Sequence, residues 1–206
     1  MEELARLAED YGNGEIRLTT AQNAILPNVP DSRLDSLLDE GLLQEFTPAP
    51  SSFRRSVVAC TGTDFCNLAQ LDTKGHAEKL ASALEQRLVS IGAPLTMNWS
   101  GCPAGCGNHQ AADIGFRVLK AKIDGQLVEA VAIYVGGRTG PDAARGRQIL
   151  DVVRCDETLP DVVAKIISDF EKQDQSPVVT EKYLPAVLSP QDSPLPTTLG
   201  SSLPLD

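Results

Sequence analysis

Four of the five cysteines in this 206-residue chain fall into two pairs. Cys60 and Cys66 are separated by five residues, and Cys102 and Cys106 by three. The apolar run Val57-Val58-Ala59 leads into the first pair, and Gly101, Pro103, Gly105 and Gly107 surround the second. Such surroundings put thiols on loops at the ends of regular elements, where backbone can fold around a metal centre. Four thiols spaced in this way fit an iron–sulfur cluster. Three other readings compete. A structural zinc site also takes four thiolates, but from pairs with shorter knuckles than the one between Cys60 and Cys66. Disulfides suit small secreted domains, and a chain of this length can build its own core. Four inert buried thiols are the plainest alternative, because free Cys packs as a small hydrophobe. Paired cysteines amid Gly and Pro are hard to explain that way.

Little else in the chain points to chemistry. Two histidines are too few for a His-rich metal site, and there is no phosphate-binding loop or Ser–His–Asp arrangement. The net charge of −10 and pI near 4.7 argue against nucleic-acid binding. No apolar run is long enough to span a bilayer, and no apolar leader of signal type opens the sequence. Thiols kept free suit a reducing, cytoplasmic compartment; a mature plastid stroma chain, its transit peptide removed, would read the same.

The elements that must position the cysteines follow from hydrophobic periodicity. Residues 2–11 read as a helix with Leu4, Leu7 and Ala8 on one face. After the turn Gly12-Asn13-Gly14, residues 15–20 alternate as a strand with Ile16 and Leu18 on one side. This strand has no evident partner before it. Asp31 is placed as the cap of a second helix burying Leu34, Leu37 and Leu38 and ending near Gly41. A Pro- and Ser-containing connector over 42–52 marks a domain boundary. Residues 54–59 form the strand that delivers Cys60, and 94–99 the strand that delivers Cys102. Between them, 67–88 read as a long helix with Leu68, Leu71, Leu80, Ala83 and Leu84 towards the core. Residues 113–122 and 127–135 form a hairpin across Asp124-Gly125. Residues 141–150 and 159–172 read as helices, the second burying Val162, Val163, Ile166, Ile167 and Phe170. From 174 onward Ser, Pro, Thr and Gln dominate, as in a disordered tail. The fold class is α+β with a mixed sheet.

Ser100-Gly101-Cys102-Pro103-Ala104-Gly105-Cys106, continued by Ala112-Asp113-Ile114-Gly115-Phe116, resembles the signature of the sirohaem- and [4Fe–4S]-containing nitrite and sulfite reductases. Ala59-Cys60-Thr61-Gly62 through Cys66 resembles the first cysteine pair of that family. The stretch 14–23 is similar to the ferredoxin-like half-domain motif of the family's second half, with Ala21 where the first half characteristically has Arg. The resemblance implies that Cys60, Cys66, Cys102 and Cys106 ligate a [4Fe–4S] cluster and that the Cys106 sulfur bridges to the sirohaem iron. It implies a ferredoxin-like half-domain over 1–47, truncated at its start, a cluster- and sirohaem-carrying domain over 54–173, and the tail over 174–206. The implied activity is that of the C-terminal half of a ferredoxin-dependent nitrite reductase, reducing nitrite to ammonia with six electrons. Sulfite is the alternative substrate within the family. The N-terminal half, which brings most of the substrate- and cofactor-binding cations, would be a separate companion.

The resemblance also directs attention to single residues. Arg138, in Tyr134-Val135-Gly136-Gly137-Arg138, matches a similar Val-Gly-Gly stretch of the family and is the best candidate here for a cofactor-proximal cation; Arg17, Lys74 and Arg117 are weaker ones. Arg54, Arg55, Lys120, Lys122, Arg145 and Arg147 are the basic residues available to an acidic ferredoxin. Gly101, Gly105 and Gly107 either bring backbone donors close to sulfur or only shape turns. His109 is expected to make a structural hydrogen bond, Trp99 to cover the cluster region, Cys155 to pack as an inert thiol, and His76 to sit on a solvated helix face. A non-catalytic [4Fe–4S] electron carrier, or a cluster-binding remnant of a truncated gene, is the rival reading, distinguished by a cluster without sirohaem.

Overall fold

A computed structural model of the chain describes residues 1–88, 91 and 94–172. The expected tail over 174–206 lies outside the described residues.

The chain opens with helix α1 (Glu2–Tyr11), as its periodicity predicts, with Leu7 and Ala8 buried. The expected strand over 15–20 shrinks to two residues, β1 (Arg17–Leu18), which pairs antiparallel with β2 (Ala24–Ile25). Its partner therefore comes after it in the chain, and Leu18 stays 74% exposed. Helix α2 (Asp31–Leu38) has Pro30 rather than Asp31 at its cap and buries Leu37 alone, leaving Leu34 and Leu38 exposed. Asp31 instead occupies the first helical turn, where its charge complements the helix dipole. Helices α3 (Gly41–Glu45) and α4 (Ser52–Arg55) interrupt the supposed connector. The strand expected over 54–59 starts late for the same reason: Ser51 caps α4 by accepting from the Arg54 amide, so Arg54 and Arg55 are helical.

The remainder is a five-stranded mixed sheet with two helices packed on it. The strands run β3 (Val57–Ala59), β4 (Met97–Ser100), β5 (Ile114–Ile123), β6 (Gln126–Val135) and β7 (Arg147–Arg154), in that spatial order. β3, β4 and β5 are parallel neighbours, while β5–β6 and β6–β7 are antiparallel. The β5–β6 hairpin turns at Asp124 and Gly125, both in the left-handed region (φ 52° and 79°), as a two-residue hairpin turn demands. Helix α5 (Thr73–Arg87) crosses from β3 to β4, and α6 (Thr158–Lys172) comes after β7. α5 begins later than the pattern over 67–88 suggested because Asp72 caps it, accepting from the Gly75 amide at 2.9 Å. Leu68 lies before this start and is 72% exposed.

Strand alternation sorts the sheet's two faces. Met97, Trp99, Ile114, Phe116, Val118, Val131, Ile133 and Val135 form one core with Leu80, Leu84, Val163, Ile166 and Ile167 of α5 and α6. Trp99 is a member of this core, stacked on Phe116 with ring centroids 4.3 Å apart, and not a cover over a loop. Residues 141–150 were expected to be helical. The segment is instead a turn with an isolated Arg138–Ala144 bridge, running into β7 from Arg147. Two register shifts against β6 break strand alternation in β7, and one of them puts Leu150 and Val153, three residues apart, into the same core.

Candidate metal centre

Both cysteine pairs leave the sheet from neighbouring strands. Cys60 comes directly after β3 and Cys102 two residues after β4, and these strands run parallel with Ala59 opposite Trp99. Neighbouring parallel strands finish at the same end of a sheet, so the loops that leave them meet there. The Gly101 amide donates to the Cys60 sulfur at 3.1 Å, and the Gln70 amide donates to the Gly101 carbonyl at 2.9 Å. A Cβ on Gly101 would lie 3.2 Å from the Cys60 sulfur and 3.0 Å from the Ala69 Cβ. Gly107 has a different role. A Cβ there would lie 1.9 Å from the Trp99 carbonyl oxygen, so only glycine lets the second loop fold back against β4. Gly105 is a turn former with φ 75°.

Cys60 is the most firmly held of the four cysteines. Its amide donates to the Trp99 carbonyl at 3.0 Å. Its carbonyl accepts from the fully buried Thr73 hydroxyl at 2.7 Å, and that hydroxyl also lies 3.7 Å from the Cys60 sulfur. Cys66 closes the first loop through its amide to the Gly62 carbonyl at 3.1 Å. Cys60, Cys66 and Cys102 are half-buried and Cys106 is exposed. Among the described residues, no three His, Cys, Asp or Glu side chains are gathered as a ready ligand set. The Gly101 amide on the Cys60 sulfur brings together the two loops that carry the four thiols, though not the thiols themselves as a set. This donor set fits an iron–sulfur cluster: soft thiolates on irregular backbone, and an N–H already directed at one sulfur.

On the sheet face opposite the helices, His109 supports the second loop. Its Nδ1 is 2.9 Å from the Ser100 hydroxyl, its ring meets Tyr134 edge-on at 4.8 Å, and its Nε2 is buried without a partner. Burial holds the His109 pKa below its ordinary 6.5, with the charges of Arg117 and Arg145 acting in the same direction. The expected structural hydrogen bond is thus present. Beside this histidine lies a cleft of about 420 Å³ bordered by residues 103–105 and 108–111 and by Arg138 and Arg145. Arg138 is exposed there, its backbone paired with Ala144, and Arg145 donates to Gln110 at 3.0 Å.

The other candidates are dispersed. Arg17 pairs with Glu15 at 2.6 Å in open solvent. Arg117 lies 6.0 Å over the Tyr134 ring. Lys74 lines a separate cavity beside β3. Arg54 is taken up by Glu78 and Glu85. His76 is 3.1 Å from Glu129 instead of being simply solvated. Burial, then Glu129 and Asp156, push the Cys155 thiol up to about 12, and it packs against the core as expected. Sequence reasoning missed Thr73 and gave no role to Ser100 or to Gln22, whose side chain bonds the Ala59 backbone, although both lie in the family-like stretches. Nothing in their types distinguishes them from ordinary polar residues; only the tertiary contacts do.

Comparison with known proteins agrees with this geometry. Residues 1–42 match the nitrite/sulfite reductase ferredoxin-like half domain, and residues 51–177 match the nitrite and sulphite reductase 4Fe-4S domain. The ferredoxin–nitrite reductase of Synechococcus elongatus is 46% identical over 165 residues, covering 80% of this chain and 32% of the relative. The chloroplastic ferredoxin–nitrite reductase of Zea mays is 47% identical over 173 residues, covering 82% and 30%. The solved NirA protein of Mycobacterium tuberculosis superposes with a TM-score of 0.74 at 33% identity, covering 87% of this chain and 33% of that one. The chain therefore spans about a third of the length of these relatives. With two cysteine loops at one end of a parallel strand pair and both domain types matched in order, the chain belongs to the nitrite and sulphite reductase family.

Proposed function

We propose that this chain is the cofactor-carrying part of a ferredoxin-dependent nitrite reductase. The observation that carries the reading is the meeting of the two cysteine loops, with the Gly101 amide on the Cys60 sulfur. Cys60, Cys66, Cys102 and Cys106 would hold a [4Fe–4S] cluster, and Cys106, the exposed one, would bridge to sirohaem. When bound, these groups would pass electrons singly from the donor to nitrite for its six-electron reduction to ammonia.

The chain's own residues hold and shield the site. Gly101 directs an N–H at the Cys60 sulfur, and such a bond favours the more negative sulfur of a reduced centre, while the Thr73 hydroxyl holds the Cys60 carbonyl. Arg138 and Arg145 border the cleft next to the second loop and suit the carboxylates of a macrocycle or a small anion. His109, its pKa lowered by burial, fixes that loop through Ser100 and is assigned this structural role. Residues 1–47 form the half-domain and 54–173 the cofactor domain. Reduced ferredoxin is the donor, and a companion half completes the substrate site. The compartment is the cytoplasm or a plastid stroma; no described helix is long and apolar enough to cross a membrane.

The test is an anaerobic absorption spectrum with iron, sulfide and sirohaem quantitation, on wild type and Cys106→Ser. A coupled sirohaem–cluster spectrum lost in the variant supports the reading. A cluster without sirohaem moves the chain to an electron carrier, and neither cofactor overturns both. Turnover of nitrite against sulfite, with a companion half supplied, decides the substrate.

A further inference from the structure

β3 is an edge strand of the sheet, and edge strands expose unpaired backbone groups. The Ser56 carbonyl and the Cys60 amide face β4, accepting from Met97 and donating to Trp99 respectively. Alternation then turns both backbone groups of Ala59 outward. They are not left to solvent. The side-chain amide of Gln22 donates to the Ala59 carbonyl at 2.7 Å and accepts from the Ala59 amide at 3.1 Å. One side chain thus stands in for a missing strand, at the residue immediately before Cys60.

The placement of Gln22 is itself specialised. It lies in the five-residue turn between β1 and β2, where its amide donates to the Thr19 carbonyl at 3.1 Å. Its φ is 60°, in the left-handed region that a glutamine rarely adopts. The surrounding turn holds this conformation: Thr19 donates to the Asn23 carbonyl at 2.9 Å and accepts from the Asn23 amide at 3.0 Å. Backbone held in a disfavoured region to aim one side chain marks a site with a job.

We infer that Gln22 is a positioning residue for Cys60, clamping the end of β3 so that the first thiol is presented to the second loop. This rests on the cluster reading above but is tested separately from it. Gln22 borders a cavity of about 270 Å³ whose charged lining residues are Arg54 of α4 and Lys74 and Glu78 of α5. Gln22→Met keeps the shape and removes both hydrogen bonds. Gln22→Glu keeps an acceptor but sets a second oxygen against the Ala59 carbonyl.

The experiment maps iodoacetamide labelling of every cysteine in the reduced, cofactor-free chain. Two lost bonds at one residue should raise the labelling rate of Cys60 by about tenfold in Gln22→Met relative to wild type. Cys102, Cys106 and Cys155 should label as in wild type. Gln22→Glu should match the Met variant at neutral pH. A Cys60 rate equal to wild type in both variants overturns the inference. So does an equal rise at all cysteines, which would make Gln22 a general fold residue. In the iron-loaded chain the same variants should release iron to a chelator faster. If wild type takes up no cluster, the functional reading fails while the labelling still decides the role of Gln22.

Discussion

At the scale of single residues, the contacts around Cys60 separate side chains that hold the site from those that merely neighbour it. Thr73 is fully buried and its hydroxyl is committed to the Cys60 carbonyl. Thr73→Val leaves that carbonyl unpaired and should cost about 1–3 kcal/mol. Thr73→Ser should retain most of the stability, and thermal melts of the two variants check this. Gly107→Ala should be worse than Gly101→Ala. The first drives a Cβ to 1.9 Å from the Trp99 carbonyl oxygen, while the second meets the Ala69 Cβ at 3.0 Å and the Cys60 sulfur at 3.2 Å, where a small displacement suffices. Iron retained per chain ranks them. His109 predicts a pH dependence. Its folded pKa lies below 6.5, so below that pH the unfolded chain binds the extra proton first and stability falls as pH drops. Above pH 6.5 the imidazole is neutral in both states and contributes no slope. His109→Phe should flatten the acid limb of a stability-against-pH curve measured by denaturant unfolding.

Elements decide how much of this could be read in advance. The cysteine pairs, the β5–β6 hairpin and the helix over 159–172 were legible because each rests on local pattern: spacing, a two-residue turn and an apolar stripe. β7 was not, because its two register shifts break alternation, one of them leaving a spacing of three between Leu150 and Val153. The start of α5 was misplaced because an Asp cap, not hydrophobic periodicity, sets it. At the site, the four thiols were legible by type. Gln22 and Thr73 were not, because their roles come from partners 37 and 13 residues away. Two variants probe the elements directly. Gly125→Ala puts a side chain at φ 79° and should cost about 1 kcal/mol, a fall of roughly 2–4 °C in Tm, with iron content unchanged. Asp72→Ala should cost a similar amount, about 1 kcal/mol, through the lost cap. It should also lower iron content, because the turn it frays carries Thr73.

For the whole molecule, the mixed sheet divides the labour. The long antiparallel hairpin and its two helices build the core, and the short parallel pair at one edge carries the thiols. That division has a consequence in time. β5 and β6 meet across a two-residue turn, whereas Val57 of β3 pairs with Met97 of β4, far along the chain, with α5 between them. Contacts between distant segments carry a larger loop-closure entropy and form later than local ones. Pulse-labelled hydrogen exchange during refolding should therefore protect the β5–β6 amides before that of Cys60. On the proposed cluster reading the thiols would then be assembled last: a newly made chain would be compact before it could accept metal, and iron delivered too early would meet two separate pairs of cysteines instead of one site.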